Sequence, residues 1–478
     1  MNSLFCQIES RARPALRHPA NLRLTRYFVF AASLCMPVIA QEIIPPPKPA
    51  ADESAFGAKI ARTMTDLATS TPEKKNPVRV LFYGQSITAQ PWASVISERL
   101  RKEYPDADLT IENRAIGGFE ADRLMKTANA DLYPFYPDLV IFQVYGGGNG
   151  ELERIISEIR RQTTAEIMIS THHVSHEGNA GVQGEYDKQS QAIRDLAAKY
   201  DCELVDVREE WKQYLSENQL KIQDLLRDSV HLNEKGNQLM ADLVWRHLRY
   251  NKDFANPHAD WIKTLPVEPQ ADGSCKVAFT GNRVDVVANP AEETQGTARI
   301  LIDGQPPSAN PKAYAITRPS NASEVWWPGV YSVGFQNPPV VEDWVLKVTE
   351  ASDDAKQFKY EVTGSKTGPD GSGSCGEKFV SNSGRVVIDP MDFGLAAACA
   401  YTKKPCPPGF EIKWSVVPMF KDAYRAPKSK DPSKPVRTTL VQLLENGPHT
   451  LEILPNGDGS VPVRAIRVFQ PAESKNSH

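Results

Sequence analysis

The stretch Leu139-Val-Ile-Phe-Gln-Val-Tyr145 decides the fold class, because it is apolar at nearly every position. A strand with this pattern is buried on both faces, as the strands of a parallel sheet are. Four further β-runs occur in the same part of the chain, at residues 78–83, 109–111, 166–170 and 202–207. Strands and helices alternate five times over about 190 residues, which predicts an α/β domain with a parallel five-stranded sheet.

Apolar residues at helical spacing separate these strands. The clearest stripes are Trp92, Val95, Ile96 and Leu100, and then Leu152, Ile155, Ile156 and Ile159. Further helices are predicted over residues 186–200 and 234–249, the last one with Asn233 as its N-cap.

The alternation stops near residue 265, and short β-runs separated by turn sequences follow. At least eight such runs without an amphipathic helix predict an all-β, jelly-roll-like sandwich over residues 266–478. Within it, residues 364–376 and 426–435 are predicted to be mobile surface loops. The α/β domain before it is assigned to residues 76–265.

Composition and charge exclude several classes of protein. Of the 478 residues 41% are hydrophobic and 24% charged, which is ordinary for a globular protein and excludes a disordered or collagen-like chain. No apolar span approaches the length needed to cross a bilayer, which excludes a polytopic membrane protein. The net charge of -4 provides no basic field, so a nucleic-acid partner is not expected.

The N-terminal segment is basic and runs into Tyr27-Phe-Val-Phe-Ala-Ala-Ser-Leu-Cys-Met-Pro-Val-Ile-Ala40. A basic region, a short apolar region and small residues before a cleavage point predict a signal peptide over residues 1–40. A short membrane anchor is the alternative. We expect a secreted or periplasmic protein without stable membrane insertion after cleavage. Residues 41–75 are predicted to be a Pro-rich linker in which 54–70 could form a short helix.

Removal of the signal leaves five cysteines, an odd number that requires at least one free thiol or an intermolecular bond. Cys399 and Cys406 would close a small loop, and Cys275 with Cys375 is the remaining pair. Cys202 lies in a predicted strand and is expected to be a buried free thiol. No Cys-x-x-Cys spacing occurs, and the histidine run from His172 to His176 has no suitably spaced carboxylate, so neither a zinc site nor another metal or cofactor is expected.

Two segments at opposite ends of the α/β domain carry residues for nucleophilic catalysis. Ser86 follows the first strand, at the carboxyl edge where open α/β sheets bind ligands, although alone it could be a turn or N-cap residue. A helix beginning there would also favour an oxyanion. Asp228-Ser-Val-His231 precedes the last helix. A serine nucleophile needs a base and an acceptor for that base, which predicts Ser86, His231 and Asp228 in these roles.

Two glycine-rich segments follow the second and third strands, Asn113-Arg-Ala-Ile-Gly117-Gly118 and Gly146-Gly-Gly-Asn149-Gly150. With the serine segment and the Asp-x-x-His segment they give four blocks in order, and here the sequence resembles the SGNH (GDSL-like) hydrolases. The resemblance implies a flavodoxin-like three-layer domain. It also implies an oxyanion hole made by the amides of Ser86 and Gly118 and the side chain of Asn149.

Two positions depart from the family pattern. Gln85 stands where the family has an aspartate, which leaves the proposed triad intact. Gly150 stands where the family has an acid after its asparagine, so Asn149 could instead be a plain turn residue.

The segment Thr171-His-His173-Val-Ser-His176 follows the fourth strand and faces the same edge. His172 or His173 is predicted to line the substrate pocket, and the alternative is that both are polar loop residues.

These observations together predict an exported serine esterase that removes small acyl groups, acetyl in the first place, from a carbohydrate or polysaccharide. The prediction that the substrate is a carbohydrate rests on the signal peptide and on four tryptophans of the β region, Trp326, Trp327, Trp344 and Trp414. These tryptophans could instead be core residues. A lipid or phospholipid esterase of the same family, and a non-catalytic glycan-binding protein with a degenerate hydrolase domain, are the alternatives. The oligomeric state is left open.

Overall fold

The computed structural model describes residues 44–148, 150–288, 296–321, 325–425 and 435–472. The predicted signal peptide, the oxyanion candidate Asn149 and most of the loop predicted at 426–435 lie outside these residues. Among the helices that are described, none is both long enough and apolar enough to cross a membrane.

The first part of the described chain alternates strands and helices and is here called the α/β unit. Its strands are β1 (Pro77–Gly84), β2 (Asp108–Asn113), β3 (Leu139–Gln143), β4 (Glu166–Ser170) and β5 (Glu203–Val205). Its helices are α1 (Ala61–Ala68), α2 (Trp92–Glu103), α3 (Ala121–Asp131), α4 (Glu151–Gln162), α5 (Ala180–Lys199), α6 (Val207–Glu217) and α7 (Glu234–Trp245). The strands agree with those predicted from the sequence apart from small differences at their ends. Helices α3 and α6 were not predicted. Helix α3 buries Thr127 and Asp131 and so lacks a complete apolar stripe.

The five strands of the α/β unit form a parallel sheet in the order β2-β1-β3-β4-β5. This is the order of flavodoxin-like folds, so the predicted fold class is confirmed. Every residue of β3 and β4 is buried, as expected for strands inside a doubly covered sheet. The strand order reverses between β1 and β3. Ligands bind at the carboxyl ends of the strands beside such a reversal, and Ser86 follows the carboxyl end of β1.

The segment predicted as a linker over 41–75 is in part a component of the α/β unit. The carboxylate of Glu166 accepts a hydrogen bond from the amide of Thr63 at 2.8 Å. The carboxylate of Glu203 accepts one from the amide of Gly57 at 2.8 Å. Both glutamates are the first residues of their strands and are buried, so they hold this segment at the edge of the sheet opposite to the ligand edge. The linker prediction is therefore corrected for the stretch that contains α1.

The remainder of the described chain is mainly β structure. Its strands are β6 (Ile262–Pro266), β7 (Cys275–Gly281), β8 (Arg283–Ala288), β9 (Ala298–Ile302), β10 (Tyr314–Ile316), β11 (Ser320–Asn321), β12 (Val325–Pro328), β13 (Asp343–Ala351), β14 (Phe358–Gly364), β15 (Gly368–Ser374), β16 (Phe379–Val380), β17 (Val387–Ile388), β18 (Glu411–Pro418), β19 (Ala423–Tyr424), β20 (Val436–Val441), β21 (Gly447–Pro455) and β22 (Ala465–Phe469). It also contains helix α8 (Leu395–Thr402), although no helix was predicted beyond residue 265.

These strands form a sandwich that carries an insertion. The described parts of the sandwich are two four-stranded sheets, β19-β9-β21-β7 and β20-β8-β22-β6, with a core of their own. The stretch from β10 to β18 forms a separate sheet in the order β12-β11-β18-β13-β14-β15, with β10 beside β18. We call this stretch the inserted β unit (residues 314–418). The all-β prediction is thus confirmed. The predicted single sandwich is in the structure a sandwich that carries an inserted unit.

Residues 364–376, predicted to be a mobile loop, form a β-hairpin instead. Strand β15 pairs with β14, and Gly373 lies opposite Tyr360. A β-carbon placed on Gly373 would lie 2.8 Å from the Tyr360 hydroxyl oxygen, closer than real packing allows. Here glycine permits close packing against an aromatic ring. A glycine-rich composition is the same for a mobile loop and for a closely packed strand, so it could not distinguish the two.

One hydrophobic core extends through both the α/β unit and the inserted β unit. The ring of Phe119, from the α/β unit, packs edge-on against Trp327 at 4.9 Å and against Tyr331 at 5.5 Å, measured between ring centroids. Trp344 and Trp414 of the inserted unit are buried in the same core. These tryptophans are therefore core residues, and the side chain of Trp326 is outside the described part.

The described cysteines confirm one of the two expected pairs. Cys399 and Cys406 form a disulfide across the end of α8. Cys275 and Cys375 are free, so their predicted pairing is wrong. The reason is that they belong to different cores, Cys275 to the sandwich and Cys375 to the core shared with the α/β unit. Cys202 is a buried free thiol as predicted, and burial raises its pKa to about 11.

Candidate active site

Ser86 lies in a turn that directly follows β1. The turn is closed by a hydrogen bond from the amide of Ala89 to the carbonyl oxygen of Gln85 at 3.1 Å, and α2 begins only at Trp92. A helix does not begin at Ser86, so the conditional contribution of a helix dipole to an oxyanion does not apply. The side chain of Ser86 is partly exposed at the carboxyl edge of the sheet.

The structure brings together the three residues predicted to form a triad. The Nε2 atom of His231 lies 3.0 Å from the Oγ atom of Ser86. On the other side of the ring, Nδ1 of His231 lies 2.9 Å from Oδ2 of Asp228. Both distances are those of hydrogen bonds, and each links one ring nitrogen to one partner. The arrangement can transfer a proton from the serine hydroxyl to the imidazole while the carboxylate holds the ring.

Asp228 is fixed by the turn in which it lies. Its Oδ1 atom accepts hydrogen bonds from the amides of Val230 at 2.9 Å and of His231 at 2.7 Å. Partial burial acts to raise the pKa of Asp228, but these amides and the His231 ring outweigh it and lower the pKa to about 2. Asp228 is therefore a carboxylate at any pH at which an esterase would be assayed.

Two buried leucines anchor the ends of this turn. Leu226 and Leu232 form an isolated β-bridge, and both are buried. The amide of Leu232 also donates to Oε1 of Gln90 at 3.0 Å, which ties the turn to the loop after β1. The apolar anchors explain why the segment between them, which carries Asp228 and His231, projects toward solvent in a defined conformation.

His173 supports the same turn from beneath. Its Nε2 atom lies 2.7 Å from the carbonyl oxygen of Val230, the residue before His231. The imidazole is completely buried, and burial lowers its pKa to about 3. The neutral ring is thus the form present, and it donates from Nε2 to the turn.

His172 is also buried. Its ring stacks on Tyr145 with 4.0 Å between centroids, and its Nε2 atom lies 2.7 Å from the carbonyl oxygen of Val144. Burial lowers its pKa to about 4. The prediction that His172 or His173 lines the substrate pocket is therefore corrected. The run of two histidines after β4 is directed into the protein, because both rings hydrogen-bond to main-chain carbonyls there.

Two of the three predicted oxyanion donors, the amides of Ser86 and Gly118, lie in the described part of the chain. The amide of Ser86 donates to Oε1 of its neighbour Gln85 at 3.2 Å, and that oxygen also lies 3.1 Å from Oγ of Ser86. A substrate carbonyl oxygen that uses this amide must replace the Gln85 oxygen. Asn149 is outside the described residues, and its predicted role stays a prediction.

Gly118 adopts a left-handed conformation with φ of 78°. A β-carbon placed there would lie 2.7 Å from Cζ2 of Trp327 and 2.8 Å from Cε2 of Tyr401. Both the conformation and the space therefore require glycine at this position. The two aromatic rings belong to the inserted β unit, so that unit reaches the loop predicted to stabilise the oxyanion.

Sequence reasoning missed Gln90, Trp327 and Tyr401 as residues of this edge. Gln90 lies only four residues after Ser86. Nothing in the sequence around it indicates that its side-chain oxygen accepts a hydrogen bond from the distant amide of Leu232. Trp327 and Tyr401 come from the insertion, and no local pattern shows which loop of another unit they contact. In the residues that the structure describes, no group of three or more His, Cys, Asp or Glu side chains is placed to hold a metal ion.

Comparison with known proteins finds a similar family for part of this chain. Residues 82–239 match the family described as the GDSL-like lipase/acylhydrolase family, a range that includes Ser86, Asp228 and His231. The predicted resemblance is thereby confirmed for this part of the chain, and with it the predicted enzyme class, a carboxylic ester hydrolase. A comparison with curated proteins finds no match.

Two solved structures are similar to little more than a third of this chain. One is the acetyl xylan esterase AlAXEase, with 22% identity over 35% of this chain and 98% of that chain, at a TM-score of 0.32. The other is Axe2, an acetylxylan esterase from Geobacillus stearothermophilus, with 16% identity over 38% of this chain and 98% of that chain, at a TM-score of 0.33.

Proposed function

We propose that the protein is an exported serine esterase that hydrolyses small acyl esters, acetyl esters in the first place, on a carbohydrate or polysaccharide. The observation that carries the proposal is the continuous hydrogen-bonded path from Ser86 Oγ through the His231 ring to Asp228. Without this path the serine hydroxyl is a weak nucleophile.

In the proposed reaction, Oγ of Ser86 attacks the ester carbonyl carbon while its proton passes to Nε2 of His231. The negative charge that develops on the carbonyl oxygen is stabilised by the amides of Ser86 and Gly118 and by the Asn149 side chain. Asp228 stabilises the imidazolium and holds its tautomer. When the carbon–oxygen bond to the alcohol breaks, the imidazolium returns the proton to the leaving oxygen, and an acyl group remains on Ser86.

Hydrolysis of the acyl-enzyme uses the same groups in reverse. Nε2 of His231 takes a proton from a water molecule, and the water oxygen attacks the acyl carbon. The intermediate collapses with return of the proton to Oγ of Ser86 and release of the carboxylic acid. Apart from the water molecule, the proposed reaction uses only groups of this chain.

The openness of the site supports a large alcohol part in the substrate. The side chain of Asp228 is 47% exposed and that of His231 is 27% exposed. A triad at such an open edge can accept an ester that projects from a polymer, because the remainder of the polymer can stay outside. Export, proposed from the N-terminal sequence, would bring the enzyme to such polymers. Sequencing the N-terminus of the mature protein tests export and should begin at Gln41.

The test compares p-nitrophenyl acetate with p-nitrophenyl octanoate as substrates for the wild type and for Ser86→Ala, His231→Ala and the double variant. We expect faster turnover of the acetate. Each single variant should lose about 10⁴-fold or more in kcat, and the double variant little more, because triad residues act as a unit. Ser229→Ala, in the same turn as Asp228, is the matched control and should keep its activity.

Two results would contradict the proposal. Faster turnover of the octanoate would favour the lipid esterase instead. Absence of turnover with either ester by a folded wild type would favour the non-catalytic glycan-binding protein.

A further inference from the structure

Tyr401 is an exposed aromatic residue that reaches the loop of Gly118. Its side chain belongs to α8 of the inserted β unit, and the residue is 48% exposed, which is high for a large aromatic side chain. Its ring stacks on that of Trp327, with centroids 4.1 Å apart and planes 15° from parallel. An exposed tyrosine supported by a buried tryptophan forms a flat aromatic surface, here called the Tyr401 platform.

The Tyr401 platform is in contact with the loop predicted to hold the oxyanion. The Cε2 atom of Tyr401 lies 2.8 Å from the position that a β-carbon on Gly118 would take. Gly118 follows Ile116 by two residues, and the amide of Ile116 donates to the carbonyl oxygen of Gly84 at 2.9 Å. Ser86 in turn follows Gly84 by two residues. The loop that the platform contacts is therefore hydrogen-bonded to the end of β1, two residues before Ser86.

Trp327, the lower half of the platform, is held rigidly. Its indole Nε1 donates to the carbonyl oxygen of Gly117 at 2.8 Å, and Phe119 packs edge-on against its ring. The guanidinium of Arg123 lies 5.6 Å from the centre of the same ring. The Cys399–Cys406 disulfide ties α8, two residues before Tyr401, to the segment that follows the helix. An aromatic surface fixed in this way loses little conformational freedom when a ligand binds.

A pyranose ring is the ligand that suits such a surface in a site for acyl esters. One face of a pyranose presents C–H groups, which are weakly positive, whereas the face of an aromatic ring is negative. The hydroxyl and ester groups lie around the rim of the sugar and so stay available to the triad. A lipid chain has no ring face and so cannot make the same stacking contact with an aromatic ring.

We propose that the Tyr401 platform binds a sugar ring of the substrate and thereby positions its acyl ester at Ser86. This rests on the proposed function, because it assigns the alcohol part of the ester to a pyranose. The inserted β unit then supplies substrate specificity to a triad that lies wholly on the α/β unit. Tyr401 is a specificity-determining residue in this account and takes no part in proton transfer.

The test measures kcat/KM of the wild type, Tyr401→Ala and Tyr401→Phe on two kinds of ester. One is p-nitrophenyl acetate, which has no sugar. The other is whichever of acetylated xylo-oligosaccharides and glucose pentaacetate the wild type hydrolyses faster. We expect Tyr401→Ala to lose about tenfold more on the sugar ester than on p-nitrophenyl acetate, the size of one lost aromatic contact. Tyr401→Phe keeps the ring and should keep most of the preference.

Tyr250→Ala is the matched control. Tyr250 is also exposed, and it follows α7, a helix that begins beside His231 and carries the chain about 18 Å away along its length. This control should not change the ratio between the two substrates. Thermal unfolding of all variants checks that they are folded. Should Tyr401→Ala not fold, Tyr401→Gln takes its place.

The outcomes separate the platform from the proposed function. If the wild type hydrolyses neither kind of ester, the proposed function fails. If it hydrolyses p-nitrophenyl acetate but neither sugar ester, the sugar assignment and the platform fail together. If it hydrolyses both and Tyr401→Ala lowers both equally, or only as the Tyr250 control does, the platform alone is overturned.

Discussion

The indole nitrogen of Trp327 donates a hydrogen bond to the carbonyl oxygen of Gly117 at 2.8 Å, although 210 residues separate them in the chain. This bond joins the inserted β unit to the loop that carries the predicted oxyanion donor Gly118. The conformation of that loop thus depends on a part of the chain outside the α/β unit. The loop of Gly118 is accordingly shaped by both units.

The first prediction is that the α/β unit does not fold stably alone. A chain of residues 44–265 would expose Phe119 and the rest of the face that packs on Trp327 and Tyr331. Burying one large aromatic side chain stabilises a protein by roughly 1.5–3 kcal/mol, and several would be lost together. Expression of this chain beside one of residues 44–472 should give soluble, cooperatively unfolding protein only for the longer one. A soluble 44–265 chain with a sharp unfolding transition would show that the shared core is dispensable.

The second prediction concerns the acid side of the pH profile. Because the pKa of Asp228 is lowered to about 2, its carboxylate is present above that pH and is lost only as pH falls through it. Protonation of Asp228 should therefore make no contribution to the pH dependence of log kcat/KM for p-nitrophenyl acetate between about pH 4 and 8. A profile that reaches a slope of two in this range would contradict the assignment, because it would require the Asp228 carboxylate to take up a proton there.

Asp228→Asn adds a check on the same assignment. An amide oxygen can still accept from the turn amides, so the turn should keep its shape. The amide cannot stabilise an imidazolium, and kcat should fall by about 10⁴-fold, as for loss of the aspartate in other triads. Retention of more than about a tenth of the activity would contradict the role given to Asp228.

The third prediction links His172 to the pH dependence of stability. Its pKa is about 4 in the folded protein, below the value of about 6.5 for an exposed histidine. Between these pH values the unfolded chain binds one proton more than the folded chain. The free energy of unfolding therefore has its full value above about pH 6.5 and decreases as the pH is lowered toward 4. From pH 6.5 to 5 one such group contributes a loss of about 2 kcal/mol.

Thermal unfolding at several pH values measures this loss. His172→Gln keeps a hydrogen-bond donor for the Val144 carbonyl oxygen but has no titrating ring, so its stability should depend less steeply on pH than that of the wild type. Equal slopes for the two proteins would show that the buried ring does not resist protonation.

The fourth prediction keeps Asn149 as an oxyanion donor. Such a donor acts on charge that appears only in the transition state, so Asn149→Ala should lower kcat far more than it raises KM. The expected loss in kcat is about 10²–10³-fold, with little change in thermal stability. A turn residue would behave differently, since its replacement alters stability and leaves kcat nearly intact. Retention of more than about a third of kcat would remove Asn149 from the oxyanion hole.

The parallel sheet and the contact of Asp228 with His231 were predictable because each leaves a local signal. Strand β3 is apolar because both of its faces are covered, and that requirement is visible in five consecutive residues. The Asp228–His231 spacing is short, so one turn brings carboxylate and ring together whatever the rest of the chain does. These features depend on neighbours in sequence.

Contacts between distant segments could not be predicted in this way. The pairing of Cys275 with Cys375 was inferred by elimination, and it failed because the two thiols lie in separate cores. His172 and His173 were placed at the right strand end, but which way a ring points depends on carbonyl groups of other loops. The approach of Tyr401 to Gly118 likewise depends on how the inserted β unit packs.

The measurement that tests the central claim most directly is covalent labelling of the full chain with diethyl p-nitrophenyl phosphate, an organophosphate that phosphorylates activated serines. Intact mass spectrometry should show one diethylphosphoryl group per chain, peptide mapping should place it on Ser86, and esterase activity should be lost in proportion. Ser86→Ala should take up no label, and His231→Ala should react far more slowly because its serine has no base. Full loss of activity with the label on another residue, or equally fast labelling of Ser86 in His231→Ala, would contradict the account.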